Sequence, residues 1–126
     1  MTTPKELPER FIQMDEEGFF SLNGIRAEDR AFGADLMQSL SRHELGSFLV
    51  KTGDTWALLE AFDQPLVAHS LEKQAGSEWL IGLPYGVNKS FSLTSLALDE
   101  WDRFHGRTTD DLPFVFSRKA QAEFFN

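Results

Sequence analysis

The sequence predicts an α+β domain in which antiparallel β meanders carry one helix on a sheet face and a second helix follows at the C-terminus. Three observations lead there. Around Gly53-Asp54, a pair suited to a tight turn, Phe48, Val50, Trp56, Leu58 and Phe62 recur mostly at every second position. That is the spacing of strands that bury one face. Asn23-Gly24 separates two short apolar runs, and both central residues of a type I′ hairpin turn need positive φ, which this pair tolerates. Phe32, Leu36, Met37 and Leu40 fall on one helical stripe.

In chain order, residues 1–9 read as a flexible polar tail and residues 10–126 as a single domain. Residues 11–14 form a short strand, Asp15-Glu16-Glu17-Gly18 a loop, and residues 19–22 and 25–27 the arms of the Asn23-Gly24 hairpin. Glu28-Asp29 opens the helix, with Asp29 placed to cap its free N–H groups. Gly33 inside it marks close packing on a strand. Arg42 and His43 suit a last helical turn ended by Gly46. Residues 46–69 read as a three-stranded meander, because Pro65 lacks an N–H and Leu66-Val67-Ala68 starts afresh after it. Gln74-Ala75-Gly76-Ser77 is a turn, residues 79–81 a strand and residues 83–88 an irregular loop. Phe91, Leu93, Ser95 and Ala97 line one face of a long strand. Residues 99–111 are polar and read as loop or short helix. Phe114-Val115-Phe116 is a strand, and Ser117 caps a final helix carrying Ala120, Phe124 and Phe125. Its abrupt end at Asn126, with two aromatics showing, is the pattern of a domain excised from a longer chain.

Composition narrows the function classes. A chain of 126 residues buries roughly two-thirds of its unfolded surface without staples. No apolar run approaches the ~20 residues of a membrane span, and the N-terminus carries no secretory signal. With no cysteine, disulfides, thiolate zinc sites and thiol nucleophiles are excluded. Cytoplasmic is the expected location, which leaves the glycosylation sequon Asn88-Lys89-Ser90 without meaning. The net charge of −8, with 20 acids against 12 bases and no basic run, argues against nucleic acid. Twelve Phe against one Tyr read as core filler, because Phe has no polar handle.

An internal echo stands out. Asp63-x-Pro65-Leu66-Val67-Ala68 recurs as Asp111-x-Pro113-Phe114-Val115-Phe116, offset by 48 residues from Asp63 to Asp111. Shared turn chemistry before a strand and a duplicated strand–turn unit both account for it. The order of elements also resembles the bacterial domain-of-unknown-function 1285 family. The residues concerned are the hairpin of residues 11–26, the helix, Gly46-Ser47-Phe48-Leu49-Val50, Asp63-x-Pro65-x-Val67-Ala68 and Pro113-Phe114-Val115-Phe116-Ser117-Arg118 before the last helix. In the family these positions carry an Asp-Gly hairpin, a Gly-Tyr-Phe-Leu-Val strand, an Asp-x-Pro-Phe-x-Ala strand and a Pro-Tyr-Leu-x-x-Arg segment. Residues 99–107 have no counterpart. The resemblance implies the fold, and for function a regulatory or ligand-sensing role in a family without an established activity.

Catalytic motifs fail on spacing. Residues 82–90 have the ingredients of a phosphate loop, but three residues separate the glycines, Lys89 does not follow Gly86, and Pro84 removes an N–H. No Gly-x-Ser-x-Gly elbow exists. His43, His69 and His105 stand apart, and His69 with Glu72 lacks a third zinc ligand. No catalytic, metal or cofactor residue is therefore assigned. The candidate binding residues are Trp101, Arg103 and His105, where an indole, a guanidinium and an imidazole share one polar segment, and Arg118. Arg118 is a cation in the first turn of a helix, set against the positive end of its dipole. An ion pair with Asp110 or Asp111 would hold it; otherwise its fork, with the helix-end N–H groups, grips an anionic ligand or a partner's carboxylate. The expected function is a non-catalytic accessory or sensing domain that binds a small molecule or another protein domain. The alternative is the N-terminal part of a larger enzyme whose catalytic domain follows Asn126.

Overall fold

The computed structural model describes residues 3–74, 76 and 78–125. Its fold is α+β, built on three sheets, mixed and antiparallel. The first orders β3 (Ile25–Arg26), β2 (Phe20–Leu22), β1 (Phe11–Met14), β6 (Thr55–Ala61), β5 (Phe48–Thr52) and β4 (Ser41–Arg42). The second is an antiparallel meander of β8 (Ser70–Lys73), β9 (Trp79–Gly82) and β10 (Asn88–Phe91). The third orders β11 (Ala97–Leu98), β12 (Phe104–Arg107), β13 (Pro113–Phe116) and β7 (Leu66–Ala68). Helix α1 spans Arg30–Gln38 and α2 spans Arg118–Phe125.

Local chemistry is where sequence and structure agree most closely. Asn23 and Gly24 both take positive φ, 51° and 80°, and Leu22 pairs with Ile25 across them. Asp29 caps α1 by accepting the Phe32 N–H at 2.8 Å. Ser117 caps α2 by accepting the Ala120 N–H at 3.1 Å. At Gly53-Asp54 only Gly53 has positive φ, 57°, as a type II′ turn requires.

Long-range pairing departs from expectation. The third strand of the anticipated meander leaves its sheet: β7 pairs not with β6 but with β13, in parallel. The vacated edge of β6 is taken by β1, also in parallel. Phe62, expected on the buried face, lies beyond the end of β6 and is 69% exposed. The echo acquires a meaning here. Leu66 pairs with Phe114, Val67 with Val115 and Ala68 with Phe116, so the two copies lie side by side, each residue opposite its counterpart 48 positions away.

Three local readings are corrected. Helix α1 stops at Gln38 rather than near Gly46, because the Ser39 hydroxyl donates to the Leu36 carbonyl at 2.6 Å and accepts the Lys51 N–H at 2.7 Å. The next residues serve the sheet as β4, and His43 turns inward, 1% exposed. Its Nε2 faces the Pro4 and Lys5 carbonyls at 2.9 and 3.2 Å, and its Nδ1 accepts the Leu45 N–H. The long strand expected across residues 91–98 breaks after Phe91 into a 3₁₀ turn at Leu93–Ser95, where the Ser95 hydroxyl donates to the Ser92 carbonyl. Residues 99–111 contain the strand β12 between two turns rather than loop or helix alone. The turn expected at Gln74-Ala75-Gly76-Ser77 falls partly on Ala75 and Ser77, outside the described residues.

Gly33 packs against a ring, not a strand. A Cβ there would come within 2.2 Å of the Tyr85 ring. Tyr85 sits in a 3₁₀ turn at Pro84–Gly86 with φ 67°. Its hydroxyl donates to the Ala27 carbonyl at 2.7 Å and accepts the Phe20 N–H at 3.0 Å. Burial pushes the phenol above its ordinary pKa, which keeps the proton it donates. One side chain thus ties α1 and the β2–β3 hairpin to the loop after β9.

Two outcomes check this packing. Gly33→Ala should cost ~1–3 kcal/mol, the usual penalty of overpacking, read from urea denaturation. Wild-type stability would mean that Tyr85 yields without cost. Leu40 lies past the end of α1 yet remains in the core, 8% exposed. Leu40→Ala should therefore lose ~2–5 kcal/mol, and a loss under about 0.5 kcal/mol, usual for surface changes, would take the residue out of the core.

Candidate functional site

Both parallel pairs end at one place. Residues after β1 (Glu16, Glu17), β6 (Phe62, Asp63), β7 (His69) and β13 (Ser117, Arg118, Lys119) line a cleft of about 530 Å³. Arg26 from β3, Phe19 and Arg103 complete its wall. Parallel pairing produces this directly, since neighbouring strands deliver their C-terminal ends to the same side. Sheets with parallel strands commonly place ligands there.

One side of the cleft is neutralised internally. Asp15 Oδ1 accepts the Glu17 and Phe19 N–H groups at 3.0 Å each, shaping the β1–β2 turn. Its Oδ2 meets Arg26 Nη2 at 2.7 Å, and Glu17 meets the same nitrogen at 3.3 Å. The Arg26 guanidinium lies over the Phe19 ring, 4.3 Å from its centroid. His69 Nε2 is 2.5 Å from the Glu17 carbonyl, so the imidazole is engaged in holding this turn. Ser117, the hydroxyl in the cleft, is engaged as the helix cap. Neither faces the other as nucleophile and base. Among the described residues no group of three His, Asp or Glu side chains is placed to hold a metal ion.

The opposite side is different. Arg103 Nη2 donates to the Phe116 carbonyl at 2.6 Å, a neutral partner, and its Nε is buried without a hydrogen-bond partner. Arg118 makes neither an ion pair nor a side-chain hydrogen bond among the described residues. The ion pair expected for it is absent because Asp110 and Asp111 precede β13 while Arg118 follows it, so the length of the strand separates them. Asp110 binds Lys89 at 2.8 Å, and Asp111 binds Arg107 at 3.0 Å. Two guanidinium groups with no carboxylate on them therefore stand beside the first turn of α2, whose N–H groups lack intrahelical acceptors.

Of the four candidate residues, the structure brings Trp101, Arg103 and Arg118 to common walls. All three line a depression of about 420 Å³ that adjoins the cleft and shares Phe62, Asp63, Arg103 and Arg118 with it. His105 stands one layer behind. Its Nε2 meets Asp99 Oδ2 at 2.5 Å, while Asp99 Oδ1 accepts the Trp101 and Arg103 N–H groups at 2.8 and 2.9 Å. Asp99 thereby shapes the turn that presents both side chains. Sequence reading missed Arg26, Glu17, His69 and Lys119, which reach the cleft only through strand pairing. The Asp-x-Pro echo was the available signal, since it marks two strands whose ends lie together.

Acidification should test the turn. The Arg103 N–H, then His105 and the Trp101 N–H, hold the Asp99 carboxyl below its ordinary pKa despite some burial. A depressed folded pKa contributes stability above the unfolded value, about 3.9, that is lost as pH falls through the folded one. The stability difference between wild type and Asp99→Asn, from urea midpoints, should be full near pH 6 and shrink below pH ~4. A pH-independent difference would show that the carboxylate charge is idle.

No family model and no curated protein sequence matches the chain. Two solved structures share its fold. A DUF1285 family protein from Shewanella baltica OS155 superposes with a TM-score of 0.75 at 15% identity, covering 94% of this chain and 94% of that one. A DUF1285 family protein from Silicibacter pomeroyi DSS-3 gives 0.67 at 15% identity, covering 93% of this chain and 71% of that one. In fold, the chain resembles the DUF1285 family.

Proposed function

We propose that this protein is a non-catalytic accessory or sensing domain that binds a small anionic molecule between Arg103, Arg118 and the first turn of α2. The observation that carries the reading is Arg118. A cation in the first helical turn is disfavoured by a few tenths of a kcal/mol, and here no carboxylate among the described residues lies within ion-pair distance of it. Forked guanidinium donors and the helix-end N–H groups that the Ser117 cap leaves unbonded suit a phosphate or carboxylate. The chain carries a net charge of −8, and Asp63, Asp99 and Glu100 line the depression together with the two guanidinium groups, so an anion is held there by direct contact with the forks rather than by long-range attraction.

The test is a thermal melt with inorganic phosphate or citrate. A ligand selective for the native state raises the melting temperature, by the equivalent of ~2.7 kcal/mol at a hundred times its Kd. Arg118→Ala should melt within about half a kcal/mol of wild type without anion, as surface changes do, and lose most of the anion response. A variant that keeps the response, or that unfolds, makes Arg118 idle or structural.

A further inference from the structure

We infer that the ligand is an anion carrying a planar aromatic ring, whose phosphate or carboxylate sits at Arg103 and Arg118 and whose ring stacks between Phe62 and Trp101. The inference rests on the anion reading above and adds the class of molecule. Phe62 and Trp101 are 69% and 75% exposed, yet neither hangs on a loose loop. The Phe62 N–H donates to the Met14 carbonyl at 3.1 Å, continuing the β1–β6 pairing by one residue. Trp101 is held by its own N–H on Asp99, in a turn closed by the Asp99 N–H on the Arg103 carbonyl at 2.9 Å.

Both rings line the depression that contains Arg103 and Arg118. A molecule anchored on the guanidinium groups therefore has two aromatic faces within the same depression. Stacking recovers apolar area that these side chains otherwise leave in water, and aromatic side chains with two rotatable bonds on a hydrogen-bonded backbone bring little ordering cost. Asp63, Asp99 and Glu100 also line the depression, and of these Asp63 and Glu100 accept hydrogen bonds from hydroxyl or amine groups on the ring. They disfavour a second negative charge there, which sets the anion at one end of the ligand and the ring at the other.

The experiment compares matched probes with and without a ring: phenyl phosphate against inorganic phosphate, and phenylacetate against acetate. Binding is followed by melting temperature and by tryptophan fluorescence, in which Trp101 is the most exposed of the three indoles. The ring-bearing member of at least one pair should bind at least about tenfold more tightly and quench the emission, as stacking on an aromatic platform allows. Whichever pair responds identifies the anion as phosphate or carboxylate. Trp101→Ala and Phe62→Ala should each reduce the ring-bearing probe towards its ringless partner and leave the ringless response unchanged. Ringless anions that bind through Arg118, with no gain from a ring in either pair, overturn this inference and leave the anion site standing. If no probe binds, both readings fall. A ring preference that survives both aromatic substitutions also overturns the inference, because the ring then sits elsewhere.

Discussion

The parallel pairing of β7 with β13 is the constraint on which the rest of the molecule depends. Leu66, Val67, Ala68, Phe114, Val115 and Phe116 are all essentially buried, so this two-stranded seam is covered on both faces, as parallel strands usually are. It joins segments 48 residues apart and must close a long loop before any contact compensates for the lost chain entropy. The seam also places Ser117 against β7, through its N–H on the Ala68 carbonyl at 2.9 Å. That bond sets the start of α2, and hence where Arg118 stands relative to His69.

The second parallel pair, β1 with β6, works the same way and supplies the other half of the cleft. With two such pairs ending together, segments from three separate stretches of the chain meet, after β1, around β6 and β7, and after β13. Their polar residues then divide by partner. Arg26 is compensated by Asp15 and Glu17, whereas Arg103 and Arg118 face a neutral carbonyl and solvent. Two guanidinium groups thus stand without an ion-pair partner among the described residues, although Asp63, Asp99 and Glu100 line the same depression. Asp110 and Asp111, at the other end of β13 from Arg118, pair with Lys89 and Arg107.

Trp101, Arg103 and Arg118 could be singled out because each is locally anomalous: an indole and a guanidinium in a polar turn, and a cation at the wrong end of a helix. His105 shared the anomaly but supports the turn through Asp99 instead of lining the depression. Phe62 was misplaced because its spacing continued the strand pattern past the residue where β6 ends. Lys119, His69 and Glu17 have no local signal, since nothing in their neighbours distinguishes them from solvated side chains. The aromatic–cationic depression is likewise a property of the assembled turns.

The sequence by itself determined the α+β class, the Asn23-Gly24 and Gly53-Asp54 turns, the caps at Asp29 and Ser117 and most of the strand positions. These depend on φ preferences, capping hydrogen bonds and apolar periodicity, whose range is a few residues. Only the tertiary structure decided that β6 pairs with β1, that β7 pairs with β13, and that α1 gives up its last turn to β4. Alternation of apolar residues states which face of a strand is buried but not which neighbour covers its edge. Backbone N–H and C=O groups are the same on every strand, so the choice of partner falls to side-chain packing across the whole core.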